Sequence, residues 1–561
     1  MYTETAPTPV REYISTRMRC SRSSLRRFFP TFAGEDVHFF ALFLTITLGL
    51  QLFNNAFIRE FDSNDDEAAH FMTGLRIRDY ALELKVQNPM AYAERYYLSY
   101  PKVAFGIWPP LFHFVESAWT MVLPPARWSV MLLMTLLSSS CAFLVYRFAS
   151  RLGRTIGLLA ALFFLANPVL WACVGFVNMD LMVALLCFAS AWYFGAFLES
   201  GDWRDSVRFG IIASAAILTK YNALCLALLP LFALLLTRRI RLLKDWKFWL
   251  PLPIVTLFAG PWYAFNWGRV LYAAEPWPSA SERWHLLLIN TYAVLRSAGI
   301  PLTIFAVAGV TLVLLGKAPG KKWVTSMTAL LLSLCTFHCV FYPIFEQRYF
   351  LTCVPALVML ATPWFWWILH RRNFSRTLLV AATALLTLVL LPSMNSGTPK
   401  GYRETASQAQ ALLNGKEGTV LVSFGASGEG AFVAEMALQE KRPASYVLRA
   451  SKMLANSTWM GINYVSRVQS ASDVEELLDE LRVSLVVVGD DAAHSRPHHQ
   501  WLLRALHAPS SSWRQVAGKS PLSMYHRTEP FKRPPQEVSI DLSLSLGRSL
   551  QSRRLSGNES Y

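Results

Sequence analysis

The sequence predicts an α-helical polytopic membrane protein followed by a small α/β domain, and three observations carry that prediction. First, 53% of the 561 residues are hydrophobic and only 16% are charged, against about 25% charged in ordinary soluble domains. Second, apolar runs near the length that spans a bilayer, about 20 residues each, recur from residue 38 to residue 392 and then stop. Third, the period changes after Pro392: Thr419–Phe424 and Leu485–Val488 read as short buried strands, and Asp473–Leu481 reads as a helix. The positive mean hydropathy of +0.31 leaves more apolar surface than one globular core of this length buries, so part of it faces lipid. Disorder, collagen and coiled coil are excluded for the chain as a whole. The net charge of +16 is assigned to basic cytoplasmic loops and not to a nucleic-acid partner.

Residues 1–36 form a basic N-terminus with Arg11, Arg17, Arg19, Arg22, Arg26 and Arg27. The segment lacks the apolar stretch of a cleavable signal peptide, so it is expected to stay cytoplasmic while the first span leads outward. Eleven runs follow, near 38–57, 107–123, 128–149, 156–173, 179–198, 209–236, 248–265, 300–316, 323–342, 349–369 and 377–392. Basic loops at 238–247, 317–322 and 371–376 are placed in the cytoplasm. Simple alternation through eleven spans puts Arg151 outside. A break of the 209–236 run at Thr219-Lys220-Tyr221-Asn222 and one further break upstream give thirteen and bring Arg151 back. The expectation is therefore 11–13 transmembrane helices within 37–392, with thirteen preferred. Residues 393–529 read as an extracytoplasmic α/β domain, and 530–561, rich in Ser and Arg, as a disordered tail. The eight cysteines show no disulfide framework and no zinc spacing.

Chemistry is most concentrated after the first span, in an extracytoplasmic loop over 58–106. Glu60, Asp62, Asp65, Asp66 and Glu67 place five carboxylates within eight residues. Mutual repulsion at a low-dielectric surface suits a carboxylate that accepts a proton, while an acidic first helical turn is the structural reading of the same residues. Lys220 interrupts an apolar run, where an ammonium costs about 2.5–3.5 kcal/mol unless it is partnered or water-lined. Binding of an anion and snorkelling to an interface are both open for it. Arg348 follows Glu346 and can pair with it or hold a phosphate, Lys102 lies in the first loop, and Asp180 opens a span, where N-capping is the other reading. His70, His113 and His338 have no recognised ligand spacing, so no metal and no cofactor are expected. Gly425-Ala426-Ser427-Gly428-Glu429-Gly430 reads as a plain turn between strand and helix, since it departs from the dinucleotide spacing.

Several short motifs occur in a characteristic order: Asp66-Glu67 after the first span, Pro109-Pro110-Leu111 opening the second, Asn178-Met179-Asp180-Leu181, Thr219-Lys220 at a helix break, and Glu346-Gln347-Arg348-Tyr349 before Pro355. In this the sequence resembles, over roughly 37–392, the integral-membrane glycosyltransferases of the GT-C class, in the group of protein O-mannosyltransferases and the lipid A aminoarabinose transferase. The resemblance implies inverting transfer of a sugar from a polyprenyl-phosphate donor to an acceptor hydroxyl of protein, lipid or glycan on the extracytoplasmic face of the membrane, and a C-terminal domain unlike the β-trefoil insert of eukaryotic protein O-mannosyltransferases points to a bacterial inner membrane. It implies Asp66 as general base with Glu67 orienting it, Asp65 being the rival by one register step. It also implies Lys220, Arg348, Lys102 and Asp180 around the donor phosphate. The competing class is a secondary transporter or flippase, which places charges on broken helices near the midplane.

Overall fold

The computed structural model describes residues 34–83, 88–273, 279–340, 346–371, 397–414, 418–440, 443–456, 464–489, 496–517, 522–532, 538–540 and 550–552. The basic N-terminus, the 377–392 run and the basic residues at 372–376 lie outside the described residues. Among those described, five helices are long and apolar enough to cross a membrane singly: Gly34–Phe53, Arg127–Leu152, Asp180–Ser200, Trp323–Val340 and Gln347–His370. Three bent pairs reach that length together, with bends of 65°, 52° and 99°. Large apolar side chains such as Leu257, Phe265, Ile300 and Leu314 point away from the protein, as lipid-facing positions must. The chain is a multi-pass membrane protein.

The first helix, α1 (Gly34–Phe53), runs beside α5 (Arg127–Ala149). Between them lie α2 (Glu67–Leu82), α3 (Pro89–Ser99) and α4 (Leu111–Val122). The 107–123 run, expected to cross, does not. Helix α4 has 12 residues, which at 1.5 Å per residue is about 18 Å. Its ends stay at one side: Leu111 N–H donates to the Leu218 carbonyl, and Arg127, just past the other end, donates to the Ala56 carbonyl at the far end of α1. With that crossing removed, α5 returns to the start of α1, where Arg147 pairs with Asp36 at 2.7 Å and Arg154 with Glu35 at 2.6 Å. Arg151 therefore sits on the same side as the start of α1, without an added span at this point.

The expected break in the 209–236 run is present. Helix α6 (Trp203–Ile217) stops, Lys220 takes an extended conformation, and a 3-10 helix (Tyr221–Ala227) leads on to Leu229–Thr237.

In the C-terminal part a five-stranded sheet has the order β2-β1-β3-β5-β4, with β1 Thr419–Ser423, β2 Tyr446–Arg449, β3 Val483–Gly489, β4 Trp513–Ala517 and β5 Leu522–Arg527. Strand β1 pairs in parallel with β2 and β3, and the remaining pairs are antiparallel. The TVLVS strand is buried throughout, as a parallel strand covered on both faces must be. The tail is not wholly irregular: Val538–Ile540 and Leu550–Ser552 form an antiparallel pair, two short apolar-polar alternations in a serine-rich stretch.

The sheet domain is fastened to the first loop. The Glu60 carboxylate accepts the backbone N–H groups of Lys400, Gly401 and Arg403 at 2.7, 3.0 and 2.7 Å, which satisfies the orphan donors at the start of helix Tyr402–Leu413. Arg449 reaches the Pro101 carbonyl, and Tyr100 hydrogen-bonds Glu440. The Gly425–Gly430 segment opens helix Ala426–Gln439. Gly430 packs closely there: a Cβ would stand 2.7 Å from Lys102 Cε and 3.1 Å from Ala68 Cβ.

Candidate active site

Asp66 is the N-cap of α2, yet its carboxylate makes no capping bond. It reaches across to Arg348, whose Nη2 lies 2.7 Å from Oδ2. Arg348 is held in a 3-10 turn (Gln347–Thr352) ahead of the helix Cys353–Arg371, and its Nε also pairs with Glu346 and stands 4.0 Å from Asp180 Oδ2. Asp180 opens its helix and accepts from Lys220 Nζ at 2.5 Å. Lys220 Nζ in turn lies 4.0 Å from the centre of the Tyr349 ring, a cation–π contact that further offsets burial. The break at 218–220 explains the geometry: unwinding the helix lets the ammonium project toward Asp180 instead of lipid. Residues 66, 180, 220 and 348, far apart in sequence, thus form one network.

Lys102 approaches from the loop side. It is 2% exposed and donates to the Ala426 carbonyl at 3.4 Å, a long bond. Burial, aided by the nearby Arg449, pushes its ammonium down to about 7, while Asp66, Asp65 and Glu429 pull the other way. His70, one turn after Asp66, feels the same basin. Burial first, then His113, Arg348, Lys220 and Lys102, hold its imidazole well below the ordinary histidine range. Three cations therefore converge on the face of α2 that carries Asp66 and His70.

Glu67 turns the opposite way. Its carboxylate is fully buried and accepts Arg127 Nη1 at 2.7 Å and Val177 N–H at 3.1 Å through Oε1, and Ser63 N–H at 3.0 Å through Oε2. Arg127 also donates to the carbonyls of Ala56 and Gly175 and lies over the Phe61 ring. This clamp holds the 61–66 turn against the membrane helices. Asp65 is exposed on the same turn. Of the residues singled out from sequence, Asp66, Asp180, Lys220 and Arg348 are joined directly, Lys102 faces them, Asp65 is peripheral, and Glu67 belongs to the clamp. Arg127, Tyr349 and His70 were not singled out as site residues; a lone arginine at the start of an apolar run was the available signal for the first. Among the described residues no group of three His, Cys, Asp or Glu side chains could hold a metal ion.

An acidic loop after the first helix is thus seated on a helical membrane domain whose buried cations converge on it. Residues 108–264 match the family described as dolichyl-phosphate-mannose-protein mannosyltransferase. The structure is similar to that of ArnT from Cupriavidus metallidurans, solved both bound to undecaprenyl phosphate and in the apo state, with a TM-score of 0.57 and 13% identity over 86% of this chain and 97% of that one. It is also similar to the arabinofuranosyltransferase AftD from Mycobacteria, with a TM-score of 0.49 and 14% identity over 89% of this chain and 40% of that one. No curated protein matches the sequence. The chain therefore shares the fold of the ArnT membrane protein, and residues 108–264 are similar to the mannosyltransferase family, in keeping with its ordered short motifs.

Proposed function

We propose that the protein transfers a sugar from a polyprenyl-phosphate carrier to an acceptor hydroxyl, with inversion, on the extracytoplasmic face of a bacterial inner membrane. The observation that carries this reading is the pairing of a reachable carboxylate with converging cations: Asp66 is 22% exposed at its side chain, and Arg348, Lys220 and Lys102 surround its face of α2. Phosphate leaves readily once its charge is stabilised, so one base and a set of cations suffice and no general acid is required. Asp66 takes the acceptor proton. Arg348, Lys220 and Lys102 hold the phosphate, Asp180 aims Lys220, and Glu67, through Ser63, sets the turn that presents Asp66. The fold shared with ArnT, solved with undecaprenyl phosphate, supports a lipid-linked donor. The acidic loop and the sheet domain fastened to it form the extracytoplasmic part.

The test is transfer from a polyprenyl-phosphate sugar in proteoliposomes, with a hydroxyl acceptor and release of polyprenyl phosphate followed together. Stoichiometric release and transfer are expected. Movement of the lipid-linked sugar across the bilayer without bond cleavage would identify a flippase instead.

A further inference from the structure

We infer that Glu116 is a positioning residue for Asp66: held as a neutral acid between α4 and α2, it seats α2, and losing its proton unseats it. For its effect on the rate the inference rests on the transfer reading above, while the seating itself is tested apart from that reading.

The carboxyl is buried without a counter-charge. Glu116 is 1% exposed, and among the described residues neither of its oxygens has a hydrogen-bond partner. On its own helix, His113 bonds His70 of α2 at 3.2 Å instead. On α2, Arg78 donates to the Thr120 carbonyl and pairs with Asp79, and Arg127 at the start of α5 is engaged by Glu67. Arg76 on α2 and Lys102 in the loop before α4 make no bond to it either. A bare carboxylate buried in this way is far costlier than a neutral acid. Burial accordingly holds the group well above the ordinary carboxylate range.

The seat is a glycine. A Cβ at Gly74 would stand 2.7 Å from Glu116 Cδ and 3.0 Å from its Cγ, so the carboxyl lies against the bare backbone of α2, in the space a side chain at 74 would take. Glycine inside a helix is unfavourable by itself, and here it makes room for the acid. The contact is one turn beyond the His70–His113 pair on both helices. Helix α2 carries Asp66 at its N-cap. Helix α4 is tied at its first residue, where Leu111 N–H donates to the Leu218 carbonyl, two residues before Lys220. Thus α4 links the helix that presents Asp66 to the break that presents Lys220. An ionised Glu116 needs water, and the way to it is to part the two helices.

A proton held by the folded form and not by the unfolded chain makes stability fall as pH rises from the ordinary carboxylate value of about 4.3 toward the raised one. Glutamine keeps the shape and cannot ionise. For the full chain in detergent, the unfolding constant of the wild type relative to Glu116→Gln should grow roughly tenfold per pH unit up to that raised value. Infrared difference spectra should show a protonated carboxylic acid at neutral pH in the wild type alone. A stability gap that does not change with pH, or carboxylate bands in place of the acid, overturns the inference. In proteoliposomes at saturating donor, where Lys102 no longer limits the rate, transfer by the wild type should fall at alkaline pH and recover on return, and Glu116→Gln should lack that fall. Identical profiles in the two remove Glu116 from the positioning of Asp66. A wild type that transfers no sugar sinks the transfer reading, and the spectra and stabilities still decide the seating. Where Glu116→Gln does not fold, Glu116→Met takes its place in each measurement.

Discussion

Asp66 and Glu67 are neighbours in the chain and sit in opposite electrostatic designs. Around Glu67 every polar partner is accounted for: one carboxylate, one guanidinium, two backbone N–H groups and two carbonyls close on one another with no exposed atom of consequence. Around Asp66 the carboxylate is partly exposed and its partner Arg348 is shared with Glu346 and Asp180. A saturated buried ion pair stabilises one geometry. A partly exposed basin whose ion pairs are shared among several partners can exchange some of them for a ligand's own charge. The difference separates a clamp from a site within two adjacent residues, and it can be broken or sharpened by substitution on either side.

The largest effect is expected in the clamp. Removing one partner of a buried pair leaves the other uncompensated, at about 3–5 kcal/mol, so Arg127→Met should unfold the first loop or sharply lower thermal stability, measured by thermal unfolding in detergent. An Arg127→Met protein as stable as wild type would place the clamp among dispensable contacts.

Lys220→Met acts on the other side of the comparison. The donor KM should rise or turnover slow, and thermal stability should fall, though less than in Arg127→Met, because Arg348 still stands 4.0 Å from the Asp180 carboxylate left behind. Lys220→Arg should rescue only in part, because the planar guanidinium does not reproduce a compact ammonium beside Asp180 and Tyr349. Wild-type kinetics in Lys220→Met would remove this residue from the site.

A smaller effect concerns pH. Lys102 is charged below about 7 and neutral above it, so its contribution to phosphate binding is present on the acid side and lost as pH rises through that value. A sugar–phosphate diester keeps its charge over this range, so the falling limb belongs to the protein. Donor affinity measured from pH 6 to 8 (about one unit either side of that value) should decline in the wild type and lie flat in Lys102→Gln. Gly430→Ala is the mildest test. The added methyl meets Lys102 and Ala68, and overpacking of about 1–3 kcal/mol should appear as a modest loss of thermal stability with a displaced Lys102.

Much of the site was legible because charges in apolar sequence are conspicuous. Lys220 announced itself by interrupting a span, and Asp180 and Arg348 by standing at span boundaries. Their convergence was not legible from spacing, since it depends on the helix break at 218–220 and on the 3-10 turn before Cys353. Glu67 looked equivalent to Asp66 because both lie in one acidic run; only the direction of the first helical turn, set by Arg127 some 60 residues on, separates them. The 107–123 run looked like a span because hydropathy counts apolar residues and not the direction of the chain. Its proline-rich entry and the return of Arg127 to Ala56 keep it on one side. In the C-terminal part the buried strands were readable from continuous apolar runs, whereas the latch through Glu60 was hidden, since a carboxylate capping a distant helix leaves no local pattern.

The account's central claim is that Asp66 is the base in a site whose binding residues are separate from it. The most direct test measures donor binding and sugar transfer side by side for the wild type, Asp66→Asn and Asp65→Asn in proteoliposomes. Asp66→Asn should bind the polyprenyl-phosphate donor within a few-fold of wild type and lose transfer by roughly 10²–10⁴-fold, while Asp65→Asn transfers at a rate near wild type. Transfer by Asp66→Asn at the wild-type rate, or a dead Asp65→Asn beside an active Asp66→Asn, would contradict it.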